Sequence, residues 1–425
     1  MSQTMEQTEA SSIREEEEVT KKEKSRRPPN TAFRQQRLKA WQPILTPKTG
    51  KLRVSILPLF FVIGLIFAPI GGLLLYASSR VKEMSINYSD CNNTAPACGP
   101  NNGGFVNMPS NTLSTYFRNS TPASQKPTWC KDTQYVSYGG DTNVTTNVCR
   151  IQFYIPDRLN PPVLLYYRLT NFYQNHRRYV KSFNQAQLKG SFVDNKTIDS
   201  SDCNPLKLGA GGVAYYPCGL IANSIFNDTI FSPQALNWPG ATDPYTYEMA
   251  NTSIAWSSDK ALYGKLDLDT YPYGSVVPPP NWREKYPTYN ETFPYPDLHT
   301  DEPFQVWMRT AGLPTFSKLA RRQDNTAMEI GRYQIDIYDY FPVNLYDGTK
   351  SILISTRTVM GGRNPFLGIA YIIVGGICIV LGALFTATHL IKPRKLGDHS
   401  YLSWNTDQPS TATTSGRAAR SGDTA

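Results

Sequence analysis

Polar and apolar positions are unevenly divided along this chain. Two stretches are apolar on every helical face: residues 54–79 (VSILPLFFVIGLIFAPIGGLLLYASS) and 365–391 (PFLGIAYIIVGGICIVLGALFTATHLI). The first runs for 26 residues without Asp, Glu, Lys, Arg or His; the second runs for 27, and its only ionisable side chains are Tyr371, Cys378 and His389. About 20 apolar residues cross the hydrocarbon of a bilayer, so each stretch predicts a membrane-spanning helix with length to spare for tilt. The first run holds 15 Val, Ile, Leu or Phe side chains, contributing roughly −5 to −9 kcal/mol to insertion. A buried core helix is the competing reading for each run. A cleaved signal peptide is not expected, because 53 polar residues precede the first run and it exceeds the length of a signal core.

Between the runs the pattern changes to a period of two. Alternation predicts strands at 149–155 (CRIQFYI), 163–169 (VLLYYRL), 333–340 (YQIDIYDY) and 351–359 (SILISTRTV). Helical signals there are short, at 172–181 and 304–309, and the Pro-rich stretches 231–247 and 271–295 predict long ordered loops. The expected organisation is a disordered tail (1–29), an amphipathic juxtamembrane segment (30–53), the first span (54–79), one β-rich ectodomain (80–364), the second span (365–391) and a second disordered tail (392–425). In segment 30–47, Phe33, Leu38, Trp41 and Leu45 interleave with Arg34, Arg37 and Lys39, which suits a membrane surface. An ordinary basic stop-transfer flank would look similar.

Composition adds orientation. The mean hydropathy of −0.40 and net charge of +9 conceal where the charges sit. Residues 34–53 carry Arg34, Arg37, Lys39, Lys48, Lys51 and Arg53 with no acid, and Lys392, Arg394 and Lys395 follow the second span. The flanks facing the central segment are balanced, so both termini are expected in the cytosol. Two further counts agree. Eight N-x-S/T triplets, starting at Asn87, Asn92, Asn119, Asn143, Asn195, Asn227, Asn251 and Asn290, all lie between the spans. Asn87 sits too close to the membrane for use; the other seven are the expected glycosylation sites. Six of the seven cysteines lie in the same segment, pointing to disulfides in an oxidising compartment. Cys203–Cys218, neighbours in sequence, is the preferred pair. A nested Cys91–Cys149 and Cys98–Cys130 is the choice for the rest, although six cysteines allow fifteen pairings and the sequence does not select among them. Zinc is the competitor, without a C-x-x-C pair to support it. Cys378 reads as a free, packed thiol within the second span.

Catalytic constellations are missing from the sequence. No phosphate-cradling loop, nucleophile elbow or H-E-x-x-H is found, and Gly209–Gly212 does not fit a dinucleotide fingerprint. Pro47 precedes Lys48-Thr49-Gly50 where a pump would need its phosphorylated Asp. His176 and His299 stand alone. Asp336 and Asp339 fall on opposite faces of their strand and read as solvated. No cofactor, metal or nucleic-acid partner is expected. Two spans without a mid-membrane charge make no transport path. They do carry small residues in register, Gly64, Ala68 and Gly72 in the first and Gly368, Gly375 and Gly382 in the second, which allow close approach of another helix. Glycine is also simply common in membrane helices. Pro58 and Pro69 free carbonyls that a neighbouring helix can help satisfy.

The blocks NTAFRQQRLKAWQPILTP (30–47), YYRLTNFYQNHRRYVKS (166–182), PCGLIANSIFNDT (217–229), VWMRTAGLPTFSKL (306–319) and GGRNPFLGIAYIIVGG (361–376) resemble the cell cycle control protein 50 / ligand-effect modulator family. These are the β-subunits of type-IV P-type ATPases, the lipid flippases. The wide spacing of the first four ectodomain cysteines and the long loops resemble fungal members. The resemblance implies a subunit without a catalytic site of its own, bound to a ten-span ATPase. It would permit the partner's exit from the endoplasmic reticulum and support its phosphorylation cycle. The partner would move phosphatidylserine or phosphatidylethanolamine to the cytosolic leaflet, in the Golgi, endosomes or plasma membrane. The implied ectodomain is an antiparallel β-sandwich-like body with disulfides and N-glycans, in which Cys203–Cys218 matches the family's disulfide. By the same resemblance Phe33, Arg34, Gln35, Gln36, Arg37 and Trp41 would contact the ATPase on the cytosolic side. Gly368, Gly375 and Gly382 would pack on its membrane helices, and Arg177 and Arg178, beside His176 and Tyr179, would form a basic ectodomain contact. The alternatives are a stand-alone adhesion or receptor ectodomain and a membrane-anchored hydrolase.

Overall fold

The computed structural model describes residues 56–100, 104–138, 142–237, 244–357 and 362–391. The amphipathic block with Phe33, Arg34, Gln35, Gln36, Arg37 and Trp41, and both tails, lie outside the described residues.

The two apolar runs form the long helices Ile56–Ser79 and Phe366–Ile391. Within them Pro58–Ser79 and Phe366–Thr388 are long and apolar enough to cross a membrane. Glycine sets the contact between them. A Cβ added to Gly71 would stand 2.7 Å from Ile372 Cγ1 and 2.9 Å from the Gly368 carbonyl oxygen; one added to Gly64 would stand 2.5 Å from Ile379 Cγ1. From the other side, Gly368 faces Leu75 and Gly71, Gly375 faces Ala68 and Gly64, and Gly382 faces the Phe61 ring. Backbones approach this closely only where side chains are absent. Phe67 on Tyr371 (ring centroids 5.0 Å) and Phe60 on Phe385 (5.7 Å) extend the contact.

Two expectations change here. Gly72 meets nothing within 4 Å; its place in the stripe belongs to Gly71. Successive helical residues turn by about 100°. Gly64 and Gly71, seven apart, therefore lie within roughly 20° of one face, whereas a four-residue repeat drifts away from it. Second, Gly368, Gly375 and Gly382 are covered by this chain's own first helix rather than open to a partner. What the pair leaves exposed is its branched outer surface, including Leu65, Leu73 and Val380.

The ectodomain contains, among the described residues, two antiparallel sheets around one core. The first sheet orders β12 (Phe316–Gln323), β6 (Val163–Leu169), β14 (Lys350–Thr356), β1 (Glu83–Asn87) and β3 (Leu113–Tyr116). The second orders β10 (Tyr245–Thr246), β9 (Gln234–Ala235), β13 (Gly331–Tyr338), β5 (Thr142–Ile155), β4 (Thr128–Tyr138) and β2 (Val106–Asn107), with β8 (Thr229–Ile230) also on β13. A short parallel pair joins β7 (Ala214–Tyr215) to β11 (Val276–Val277). Alternation explains the core. Met84 and Ile86, Leu165 and Tyr167, and Ile352 and Ile354 point from the first sheet into the same cluster as Ile151, Phe153, Ile335 and Ile337 of the second. This is sandwich packing, each sheet burying one face.

The Pro- and Tyr-rich segments are ordered because tyrosine buries a ring and satisfies a backbone carbonyl at once. Tyr289 Oη donates to Tyr216 O (2.7 Å), Tyr271 Oη to Ser191 O (3.0 Å) and Tyr247 Oη to Thr326 O (2.6 Å). The helix expected at 172–181 is reduced to Arg177–Lys181, since Asn171 takes a left-handed backbone (φ 57°) and residues 172–176 form turns. The one expected at 304–309 begins earlier, at Glu302–Met308, with Asp301 capping the Phe304 amide at 3.1 Å.

Overpacking a close contact costs about 1–3 kcal/mol. Gly71→Leu should therefore lower the melting temperature of the helix pair in mild detergent, read by a fluorogenic thiol probe at Cys378, while Gly72→Leu should leave it unchanged.

Candidate functional site

Four side chains from three distant parts of the sequence meet between the two sheets. Tyr88 follows β1 and Lys350 opens β14 in the first sheet, whereas Asp228 precedes β8 and Asp339 follows β13 in the second. Lys350 Nζ lies 2.7 Å from Asp228 Oδ2, forms a second ion pair with Asp339 Oδ1, and donates to Phe341 O at 2.8 Å. Asp228 Oδ1 accepts from the amides of Tyr340 (2.7 Å) and Phe341 (2.6 Å), and its Oδ2 accepts from Tyr88 Oη (2.8 Å). The Lys350 and Asp228 side chains are 1% and 0% exposed. Two carboxylates thus share one ammonium out of reach of water. Burial and the neighbouring Asp228 charge push the Asp339 carboxyl up to about 6, against the pull of Lys350. Burial, then Asp228, holds the Tyr88 phenol well above its ordinary range.

One reading of the sequence is corrected at this cluster, and a second residue is found in it. Asp339 is buried and paired, not solvated, and Asp336 is half-buried beside Arg150, its carboxyl raised by burial. Asn92, expected to carry a glycan, donates Nδ2 to Asp339 Oδ2 at 2.7 Å, and its Oδ1 is buried. Its amide is therefore engaged by the cluster, although the residue is partly exposed.

Three disulfides brace the ectodomain. Cys91–Cys149 joins the segment after β1 to β5, and so ties the two sheets together close to the charge cluster. Cys98–Cys130 fastens a loop to β4, and Cys203–Cys218 closes a loop of 15-residue separation. Buried Gln187 supports the last: its Oε1 accepts from Cys218 N (2.9 Å) and its Nε2 donates to Tyr215 O (2.8 Å).

The basic residues Arg177 and Arg178 are exposed on their short helix and make no ion pair among the described residues, while Tyr179 is buried and bonds Ser224 at 2.8 Å. The turn before them is tied to two other segments, by Asn171 Nδ2 to Tyr346 O (2.6 Å) and Asn175 Nδ2 to Gly312 O (3.0 Å). These three segments carry Tyr173, Leu313 and Leu345 with 57%, 70% and 79% of their surface open. Basic and apolar side chains are thus gathered on a five-residue helix and neighbouring turns pinned to a rigid body. Trp307 anchors that body from below, donating to Ile221 O at 2.8 Å. Lys318 closes the end of the Trp307 helix by donating to the Val306, Trp307 and Arg309 carbonyls; burial and the Arg309 guanidinium pull its pKa down to about 7. Sequence reading missed Tyr173, Leu313 and Leu345, because a lone apolar residue in a turn carries no periodic signal.

Of the remaining glycosylation candidates, Asn195, Asn227, Asn251 and Asn290 are exposed. Asn119 is exposed too, but its Nδ2 donates to Asp157 Oδ1 at 2.7 Å, as that of Asn92 does to Asp339. The side chain of Asn143 lies outside the described residues. His176 is exposed, and His299 Nδ1 stands 3.0 Å from Tyr263 O. Among the described residues no group of three or more His, Cys, Asp or Glu could hold a metal ion.

Comparison with known proteins gives a consistent picture. The family model described as "LEM3 (ligand-effect modulator 3) family / CDC50 family" matches residues 74–395. The chain is 44% identical to the phospholipid-transporting ATPase accessory subunit CDC50 of Chaetomium thermophilum, over 90% of this chain and 92% of that protein. It is 38% identical to the accessory subunit LEM3 of Saccharomyces cerevisiae (94% and 92% covered) and 37% identical to cell cycle control protein 50A of Bos taurus (85% and 88%).

Removing the cation from a buried pair costs about 3–5 kcal/mol, so Lys350→Met should prevent recovery of folded, disulfide-bonded ectodomain. Because the folded Asp339 titrates near 6 and a free carboxyl near 3.8, the folded state binds the extra proton between those values. Stability should fall as pH rises through that window, by at most ~1.4 kcal/mol per pH unit. Asp339→Asn should reduce this slope in thermal melts taken from pH 4 to 7.

Proposed function

Given that the chain belongs to the LEM3/CDC50 family, we propose that it is the non-catalytic accessory subunit of a phospholipid-transporting P-type ATPase. The observation that carries this reading is its similarity, over about nine-tenths of its length, to proteins named as such subunits. In this reading one copy binds one type-IV ATPase α-subunit. The ATPase moves phosphatidylserine or phosphatidylethanolamine from the exoplasmic to the cytosolic leaflet, and the subunit supports its exit from the endoplasmic reticulum and its phosphorylation cycle. The complex resides in the Golgi, endosomes or plasma membrane.

Both termini face the cytosol and the ectodomain faces the lumen or the outside. The asymmetry of Lys and Arg around the spans supports this, as do three disulfides confined to the ectodomain. N-glycans occupy triplets there, with Asn143, Asn195, Asn227, Asn251 and Asn290 as the acceptors. On the cytosolic side Phe33, Arg34, Gln35, Gln36, Arg37 and Trp41 contact the pump next to the membrane. In the membrane, the exposed outer surface of the helix pair, not its glycine seam, meets the pump's helices. In the lumen Arg177 and Arg178, with Tyr173, Leu313 and Leu345, form the contact. A subunit without chemistry of its own influences the cycle only by binding some pump states more tightly than others.

Purification in mild detergent tests the reading: an ATPase should accompany the chain at one-to-one stoichiometry, and an isolated chain with hydrolytic activity would reject it. Charge reversal at an interface costs several kcal/mol, so Arg177→Glu combined with Arg178→Glu should cut ATPase recovery about tenfold without shifting the ectodomain melt. Cys203→Ser removes a loop closure worth roughly 3 kcal/mol and should lower both recovery and melting temperature.

A further inference from the structure

A cleft of about 420 Å³ opens on the ectodomain surface, separate from the basic patch. Its aromatic lining includes Tyr167, Phe226, Trp282 and Tyr286. Tyr167 and Phe226 are stacked at 4.0 Å between ring centroids, and Trp282 is fixed by its indole N–H on Ala222 O at 2.9 Å. The rim is polar. Asn281, Glu284 and Lys285 are exposed, and none of their side chains makes a hydrogen bond or ion pair among the described residues. The partly exposed rings of Phe226 and Tyr286, the latter with the Lys285 ammonium 5.3 Å from its centroid, stand beside an amide and a carboxylate without hydrogen-bond partners. They suit a ligand with apolar C–H faces and many hydroxyls, which is the chemistry of a sugar ring. The attachment point for one is already in the wall. Asn227, Asp228 and Thr229, a complete N-x-T triplet, all line the cleft, and Asn227 is exposed.

We infer that this cleft seats the first sugars of an N-linked glycan carried by Asn227, which closes the surface over Phe226 and Tyr286. The inference rests on the reading that the ectodomain is exposed to the glycosylation machinery. Tethering removes most of the entropic cost of docking, so weak stacking contacts suffice to hold the sugar. Asn251 also lines the cleft, but its triplet partners Thr252 and Ser253 do not, which favours Asn227 as the stem. The seated glycan would shield the part of Phe226 and Tyr286 that otherwise faces water.

The test uses full-length protein expressed in yeast and purified in mild detergent, with glycopeptide mass spectrometry at every triplet. Native digestion with an amidase that releases N-glycans should free the Asn227 glycan at least tenfold more slowly than those at Asn195 and Asn290, which do not line the cleft. After denaturation the rates should be equal. Tyr286→Ala should abolish the protection; Glu284→Ala with Lys285→Ala, both exposed, should weaken it should the tyrosine variant fail to fold. Equal native rates, protection unaffected by these variants, protection at Asn251 alone, or protection present only in the ATPase complex would each overturn the inference. An unoccupied Asn227 beside occupied Asn195 and Asn290 would overturn it while leaving the glycoprotein reading intact. Glycans missing at every triplet would defeat both.

Discussion

The ectodomain depends on how one ammonium group is shared. Lys350 stands where the two sheets meet and neutralises Asp228 and Asp339 together, with Tyr88 and the Tyr340 and Phe341 amides completing the shell of Asp228. Apolar contacts between two sheets are tolerant of sliding, since one branched side chain substitutes for another. A buried charge cluster is not, because any shift leaves a carboxylate without its donors. The Cys91–Cys149 bond lies in the neighbouring segment, and Asn92 links the two through Asp339. Covalent and electrostatic restraints therefore act on the same end of the sandwich, and fix the relative position of strands that carry little hydrophobic specificity of their own.

That restraint suits a protein whose surfaces do the work. Arg177, Arg178, Tyr173, Leu313 and Leu345 sit on turns and very short helices rather than on long elements, so their geometry is inherited from the body beneath them. Asn171, Asn175, Trp307 and Lys318 transmit it, each through hydrogen bonds to backbone oxygens. In the membrane helices the logic is reversed. Glycine lets two backbones approach, and the branched side chains are pushed to the outer surface, where lipid or another helix meets them.

Much of this was legible in the sequence, where the signal was local or periodic. Both long helices follow from unbroken apolar runs, and Val163–Leu169 follows from its alternation. What escaped were features that depend on rotation or on tertiary neighbours. The choice between Gly71 and Gly72 turns on about 100° of helical phase, and an evenly spaced count picks the wrong member of the pair. Whether a glycine stripe is covered by its own chain or by a partner is not written in its spacing. Asp228, Asp339 and Lys350 resemble any solvated charge in sequence, because their burial is created when Asp228 and Tyr88, each more than a hundred residues from Asp339 and Lys350, pack against them. Asn92 satisfies the glycosylation pattern, and the pattern contains nothing about which way an amide faces.

Reconstitution measures most directly whether this chain acts only through a partner. Liposomes carrying a labelled phosphatidylserine would receive the ATPase alone, this chain alone, or both, with ATP added outside. The account predicts transport with both proteins, much less with the ATPase alone and none with the chain alone. Lipid movement or ATP hydrolysis by the chain alone, or full transport without it, would contradict the account.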